Sequence, residues 1–218
     1  MRYYPAFLDV RGKRCLVVGG GGVAARKARA LVAAGAMVRV VAPEISRELR
    51  RAAGIECRQA RYSARQLRGV WLVVAATDDP LVQQAVWRDA ARRRLLCNVA
   101  DVPARSNFMV PAVVRRGGLQ IAVSTGGGSP ALARRLRREL EKTVGREYAA
   151  LLELLRALRP RVMAEVPASE RPRVFSAMVN SAALDLLRAG RRRDARRLLE
   201  GFVHHKGTKN TKLTKNTQ

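Results

Sequence analysis

Residues 15–27, Cys-Leu-Val-Val-Gly-Gly-Gly-Gly-Val-Ala-Ala-Arg-Lys, constrain the fold more than any other stretch of this chain. Cys15 to Val18 is an apolar run rich in β-branched residues; four glycines follow, and an alanine-rich pattern of helical period comes next. Strand, tight turn and helix in that order open a dinucleotide-binding βαβ unit. Gly19, Gly21 and Ala24 fit G-x-G-x-x-A. The first glycine permits the turn, the second lets the backbone approach a pyrophosphate, and the small third residue lets helix and strand pack closely. Gly22 and Val23 then start a helix whose free N–H groups and positive dipole end face the phosphates. Outside that context the same glycines would read as a surface turn.

The chain of 218 residues is long enough to bury a real core. It contains no run approaching the ~18 apolar residues of a membrane span, and its first ten residues lack a signal-peptide core, with charge returning at Asp9 and Arg11. Cys15, Cys57 and Cys97 are odd in number and form no C-x-x-C pair, so they read as buried reduced thiols and the protein as cytoplasmic. The net charge of +26 is spread along the chain, and 36 of the 43 cations are arginine. Three readings stand beside one another: a compositional bias toward arginine, a cleft that draws in a polyanionic small molecule, and a nucleic-acid surface. The last is disfavoured, because the charge is unclustered and aromatics make up only 5%.

Strands at 37–42, 55–58, 71–76 and 95–99 alternate with helices at 23–34, 46–53 and 80–94, which predicts a Rossmann-like parallel sheet over residues 1–108. Gly35 suits a helix C-cap, and Asp79-Pro80 suits an N-cap with proline at the first helical position. Residues 109–144 form a small β-hairpin region, with strands at 109–114 and 119–123, and a linking basic helix from about 131 that has Ser129 as a candidate N-cap. Residues 145–203 read as a helical domain with helices at 148–158, 173–187 and 194–203, and residues 204–218 as a disordered basic tail.

Ligands of open α/β sheets lie beyond the carboxyl ends of the strands. The candidates are therefore Gly19 to Val23, Pro43 and Glu44, Thr77 and Asp78, and Asn98 to Asp101. Glu44 is either the acid on the adenosine ribose, which would favour NAD over NADP, or a surface carboxylate two residues too late. Asp101 follows a buried strand and is either a general base or a loop-capping aspartate. The only histidines, His204 and His205, fall in the expected tail, so acid–base chemistry in the folded part must use other groups. Gly126-Gly127-Gly128, before a helix N-terminus, is either an anion-binding or a purely structural loop. There is no Tyr-x-x-x-Lys, no phosphate-binding G-x-x-x-x-G-K-[ST] and no His/Cys cluster with metal spacing.

Pro5-Ala-Phe-Leu-Asp9, Val17 to Lys27, Ala75-Ala-Thr-Asp-Asp79, Cys97-Asn-Val-Ala-Asp101 and Ala122-Val-Ser-Thr-Gly-Gly-Gly-Ser-Pro130 stand in the order and spacing of one family. Together they resemble the precorrin-2 dehydrogenase/sirohydrochlorin ferrochelatase family, the dehydrogenase module of siroheme synthase, over about residues 1–200. The chain looks like a stand-alone form, ending where a multifunctional synthase continues into a methyltransferase domain. The resemblance implies NAD⁺-dependent oxidation of precorrin-2 to sirohydrochlorin, with Fe²⁺ as a substrate metal where chelation to siroheme is also catalysed. It implies a homodimer with a C-terminal helical dimerisation domain. It also implies that Gly22, Val23, Pro43, Glu44, Thr77 and Asp78 border the cofactor. Asp101 falls on the family's key carboxylate, and Asn98, Ser124, Thr125, Gly126 and Gly127 border the tetrapyrrole. Many relatives carry Ser-Ser where this chain has Ser124-Thr125, so a hydroxyl is kept. The alternatives are a non-catalytic NAD-sensing module, which would lack the Cys97–Asp101 and Ser124–Pro130 elements, and a basic nucleic-acid-binding protein.

Overall fold

Residues 14–18 carry one charge, on Arg14, and the computed structural model of the protein, which describes residues 3–204, puts them at the centre of a sheet. β1 (Arg14–Val18) pairs in parallel with β2 (Met37–Ala42) on one side and with β4 (Leu72–Ala75) on the other. β3 (Ile55–Gln59) and β5 (Leu96–Val99) complete the order β3-β2-β1-β4-β5, with every pairing parallel. The carboxyl ends of all five strands therefore lie along one edge.

Both faces of this sheet are covered, which is why β4 is apolar at every position. Cys15, Val17, Val38, Val40 and Leu72 pack with Ala24, Ala25 and Ala28 of α1 (Gly22–Ala33). Leu16, Val18, Val73, Ala75, Cys97 and Val99 pack on the other side with Val86 and Ala90 of α3 (Pro80–Arg92). Each fully buried valine or leucine here contributes about 1.5–3 kcal/mol. The alanines of α1 bring the helix close to β1 and so fix its N-terminus at the glycine turn. Gly35 takes φ +85° and donates its N–H to the Val32 carbonyl at 2.8 Å, ending α1 as the sequence predicts. Asp79 caps α3, its Oδ1 accepting from Leu81 N–H at 2.8 Å and Val82 N–H at 3.2 Å.

Contacts divide the chain into two units. The sheet unit comprises the residues up to Pro111 together with Ser124–Pro130; the second comprises Ala112–Val123 and the chain from Ala131 onward. In the second unit β6 (Ala112–Arg116) and β7 (Leu119–Val123) form an antiparallel hairpin, and α4 (Pro130–Thr143) leads into four helices. These are α5 (Arg146–Glu165), α6 (Arg171–Val179), α7 (Ala183–Arg188) and α8 (Arg192–His204). Leu151, Leu154, Leu158 and Val162 of α5 pack with Met178, Ala183, Ala195, Leu199 and Val203 in a separate core.

Several elements differ from the sequence reading. The helix predicted at 46–53 is a single turn, α2 (Arg47–Arg50), because the chain must turn at Gly54 (φ +76°) into β3. The first hairpin strand lies at 112–116 instead of 109–114: Arg116 pairs with Leu119, so the two-residue Gly117-Gly118 turn sets the register. α5 runs through Pro160, two turns past the predicted end, since Leu158 and Val162 on either side of it are both buried. The helix predicted at 173–187 is two helices. Ser181 breaks it, its hydroxyl donating to the Met178 carbonyl at 2.8 Å and accepting from Ala183 N–H at 3.3 Å. His204, expected in the tail, is the last residue of α8, with Nε2 3.0 Å from Arg161 Nη2. It belongs to the helical unit, and the rest of the predicted tail lies outside the described residues.

Candidate functional site

The residues that follow β1, β4 and β5 are each tied by a backbone hydrogen bond to the adjacent strand. Gly19 N–H donates to the Val41 carbonyl at 2.9 Å, Ala76 N–H to Val18 at 2.7 Å, and Ala100 N–H to Ala75 at 2.8 Å. Gly19 takes φ +134°, and a Cβ there would run into the Ala76 carbonyl. At Gly20 a Cβ would strike the carbonyl of Glu44, while Ser46 N–H donates to the Gly20 carbonyl at 2.9 Å. Counted along the sequence, Glu44 lies two residues past its strand; in the fold that segment turns back over Gly20 and carries exposed Pro43 and Glu44 beside the fingerprint. The need for glycine at position 20 escaped the G-x-G-x-x-A reading, which leaves that position unspecified.

Gly21 and Gly22 differ from their neighbours: a Cβ at either would meet nothing within 4 Å. Gly21 is the N-cap of α1, extended at φ −91° and ψ −169°, without a side-chain cap, and the first turn has no acidic residue. The helix therefore presents N–H groups beside open space, with Val23 exposed next to them, a setting whose chemistry suits an anionic group such as a pyrophosphate. Thr77, half-buried, accepts from Asp79 N–H at its Oγ1 (3.3 Å) and from Gln83 Nε2 at its carbonyl (2.7 Å); Asp78 is exposed beside it.

Asp101 sits in the turn after β5 at φ +59°, a left-handed backbone that aspartate tolerates better than most residues. The turn is clamped by Ser106, which is 4% exposed. The Ser106 hydroxyl accepts from Val99 N–H at 2.9 Å and donates to the Val102 carbonyl at 3.1 Å. Asn107 continues the clamp along β5, accepting from Cys97 N–H at 2.7 Å and donating to the Leu95 carbonyl at 2.8 Å. Sequence reasoning missed this polar pair, which follows β5 only after an intervening turn at Pro103–Arg105. Asn98, a candidate for the substrate, is buried and donates its Nδ2 to the Phe108 carbonyl at 3.2 Å, so it anchors the same segment from beneath. The Asp101 carboxylate itself is exposed, and its field reaches the half-buried ammonium of Lys27 on α1.

The second glycine loop belongs to this unit. Gly126 (φ +62°) and Gly127 (φ +91°) make its turn, and Gly127 lies against Pro103 and Met109, just beyond the Asp101 turn. Ser124 Oγ accepts from Gly126 N–H at 3.2 Å. Thr125 Oγ1 accepts from Ser129 N–H at 3.0 Å and donates to the Ser129 carbonyl at 3.1 Å. Both hydroxyls thus shape the loop. Burial pushes the thiol of Cys15 up to about 11 and that of Cys97 up to about 12, so neither supplies a thiolate nucleophile near neutral pH. Among the described residues, no three or more His, Cys, Asp and Glu side chains gather as a metal site, and no helix is long and apolar enough to cross a membrane.

Three family models match in succession: NAD(P)-binding over residues 6–112, sirohaem biosynthesis protein central over 116–143, and sirohaem synthase dimerisation region over 147–201. Siroheme synthase of Nitrosococcus oceani is 37% identical over 216 residues, which are 95% of this chain and 46% of that protein. Siroheme synthase of Pseudomonas fluorescens (strain Pf0-1) is 42% identical over 207 residues, 93% of this chain and 45% of that protein. The chain thus spans less than half the length of these relatives. Among solved structures, SirC, a precorrin-2 dehydrogenase, superposes with a TM-score of 0.76 at 26% identity, covering 91% of this chain and 100% of that one. With the three models in succession over most of its length, the chain belongs to the siroheme synthase family, of which it carries the NAD(P)-binding, central and dimerisation regions.

Proposed function

We propose that this protein oxidises precorrin-2 to sirohydrochlorin with NAD⁺, as a cytoplasmic homodimer whose helical unit supplies the dimer contact. One observation carries this reading: a glycine-rich, uncapped helix N-terminus open to a dinucleotide and a carboxylate clamped at φ +59° stand along one edge of a single unit. The names of the relatives and of the structural neighbour supply the substrate.

In this account Gly19 and Gly20 hold the loop closed, and the N–H groups at Gly21, Gly22 and Val23 take the pyrophosphate. Glu44 accepts from the ribose hydroxyls and repels a 2′-phosphate, which selects NAD⁺. Thr77 and Asp78 border the cofactor on the β4 side. NAD⁺, when bound, supplies the hydride acceptor. Asp101 takes the proton that the macrocycle loses as the new double bond forms, and the loop of Ser124, Thr125, Gly126 and Gly127 holds an acid side chain of the tetrapyrrole. Asn98 supports this edge through Phe108. The divided roles match the two units, with chemistry on the sheet unit and assembly on the helical one.

The test is direct. The purified chain is mixed with precorrin-2 and NAD⁺, and the absorbance of NADH and of sirohydrochlorin is followed together. The account expects one NADH per sirohydrochlorin and much slower turnover with NADP⁺. Absence of NADH overturns it. Repeating the assay with Fe²⁺ as a substrate metal shows whether the same site also forms siroheme.

A further inference from the structure

Residues in register on adjacent strands share a face of the sheet. On one face Leu16 of β1, Val73 of β4 and Cys97 of β5 are such neighbours, and they pack with Val86 and Ala90 of α3. The same face changes character at β2 and β3, where Arg39 stands in register with Leu16, and Glu56 with Arg39. The crossover explains the change. Between β3 and β4 the chain makes only a short 3₁₀ turn, Ala64–Leu67, where a doubly wound sheet ordinarily carries a covering helix. A cavity of about 530 Å³ is left at the amino ends of β1, β2 and β3, on the edge opposite the glycine loop. Val38 and Val70 give it apolar walls, while Arg14, Arg39, Arg68 and Glu56 give it charge. Its volume lies in the range of small-molecule sites.

Glu56 is already committed, its carboxylate accepting from Arg39 Nε at 2.9 Å and from Arg58 Nε at 2.8 Å. Among the described residues, the Arg14 and Arg68 side chains have no hydrogen-bond or ion-pair partner. Gly69 lets them approach: it takes φ +71°, and a Cβ there would lie 3.0 Å from Arg14 Nη1. The Arg14 guanidinium thus rests against the residue next to Arg68, although the two arginines come from separate segments. Two cations on one cavity without a free acid between them repel each other until an anion bridges them. A guanidinium fork matches the oxygens of carboxylate and phosphate groups. We infer that this cavity is a separate anion-binding site, which takes a compact ligand bearing carboxylate or phosphate groups on a small apolar body. The site is distinct from the cofactor edge and does not depend on the dehydrogenase reading.

Inorganic pyrophosphate and citrate are the probes, titrated calorimetrically into the full chain at fixed ionic strength with NAD⁺ saturating, so that the glycine loop is occupied. Wild type is expected to bind one equivalent of at least one probe; preference for citrate assigns a carboxylate ligand, and preference for pyrophosphate a phosphate one. Arg14→Gln and Arg68→Gln are each expected to weaken that binding about tenfold or more. Glu56→Gln should strengthen it a few-fold, because the one carboxylate of the cavity is removed. Arg65→Gln removes the same charge from the neighbouring 3₁₀ turn outside the cavity and should bind as wild type. Thermal midpoints without probe should match wild type; if Arg14→Gln does not fold, Arg68→Gln carries the comparison. Absence of binding by wild type, wild-type affinity in Arg68→Gln, or an equal loss in Arg65→Gln, which would mark a diffuse field, would each overturn the inference. None of these results touches the dehydrogenase reading, which NADH formation tests on the opposite edge.

Discussion

A methyl group added at Gly20 runs into the Glu44 carbonyl, whereas one added at Gly21 meets nothing within 4 Å. The backbone of Gly21 is also extended, at a φ that alanine adopts without strain. Gly20→Ala is therefore expected to destabilise the fold by about 1–3 kcal/mol, the usual range for overpacking a close contact, and to show it as a lowered denaturant midpoint. Gly21→Ala should unfold at the wild-type midpoint and lose NAD⁺ affinity, because its methyl occupies the space of the pyrophosphate. Equal stability losses in the two variants would mean that the loop is structural throughout. The same distinction explains what could be read beforehand. Glycine spacing identified the loop, since the motif describes the ligand's demands. The demand at Gly20 comes from the Glu44 carbonyl in the loop after β2, and a local pattern contains no information about it. Asp101 could be picked out by its place after a buried strand, but its clamp could not, because Ser106 and Asn107 act through hydrogen bonds that only the folded edge brings within reach.

The parallel strands and the helices that cover them were the most readable elements, because burial on both faces writes an unbroken apolar run such as 72–75 and caps write local chemistry such as Asp79-Pro80. Asp79 accepts two N–H groups at the start of α3, and Asp79→Ala is expected to cost about 1 kcal/mol. Chemical denaturation measures that cost; no loss would show that the Thr77 loop holds the helix end unaided. The helical unit is less legible in its sequence, for a physical reason. Pro160 is a breaker by its own chemistry and is overridden by the buried residues Leu158 and Val162, while Ser181 looks innocuous and breaks a helix by bonding to the backbone on both sides. In the hairpin, the Gly117-Gly118 turn was visible, yet its effect is to displace the first strand toward the turn, a consequence of register that composition does not carry.

The arginine excess is laced into the surface of the whole molecule. Arg135–Glu139, Arg137–Glu141, Arg161–Glu165 and Arg196–Glu200 are solvent-screened i,i+4 pairs, so they contribute solvation and field more than stability. Steeper pH dependence comes from buried groups in the sheet unit. Cys15 and Cys97 are raised by burial to about 11 and about 12, and the phenol of Tyr62 is raised by burial and by the Asp89 carboxylate that accepts its hydrogen bond at 3.2 Å. Groups whose folded values lie above their unfolded ones stabilise the fold fully below the unfolded value and lose that contribution as pH rises. Stability should hold up to the ordinary thiol value of 9.0 and fall progressively through about 12; denaturant midpoints along an alkaline series measure it, and a flat profile would contradict the burial of these groups. The central claim is that one edge of the sheet unit joins a dinucleotide site to a carboxylate base, and Asp101→Asn tests it most directly. That variant keeps the left-handed backbone and removes the base. NAD⁺ affinity should be unchanged while NADH formation from precorrin-2 falls by about 10²–10⁴-fold; turnover at the wild-type rate would contradict the account.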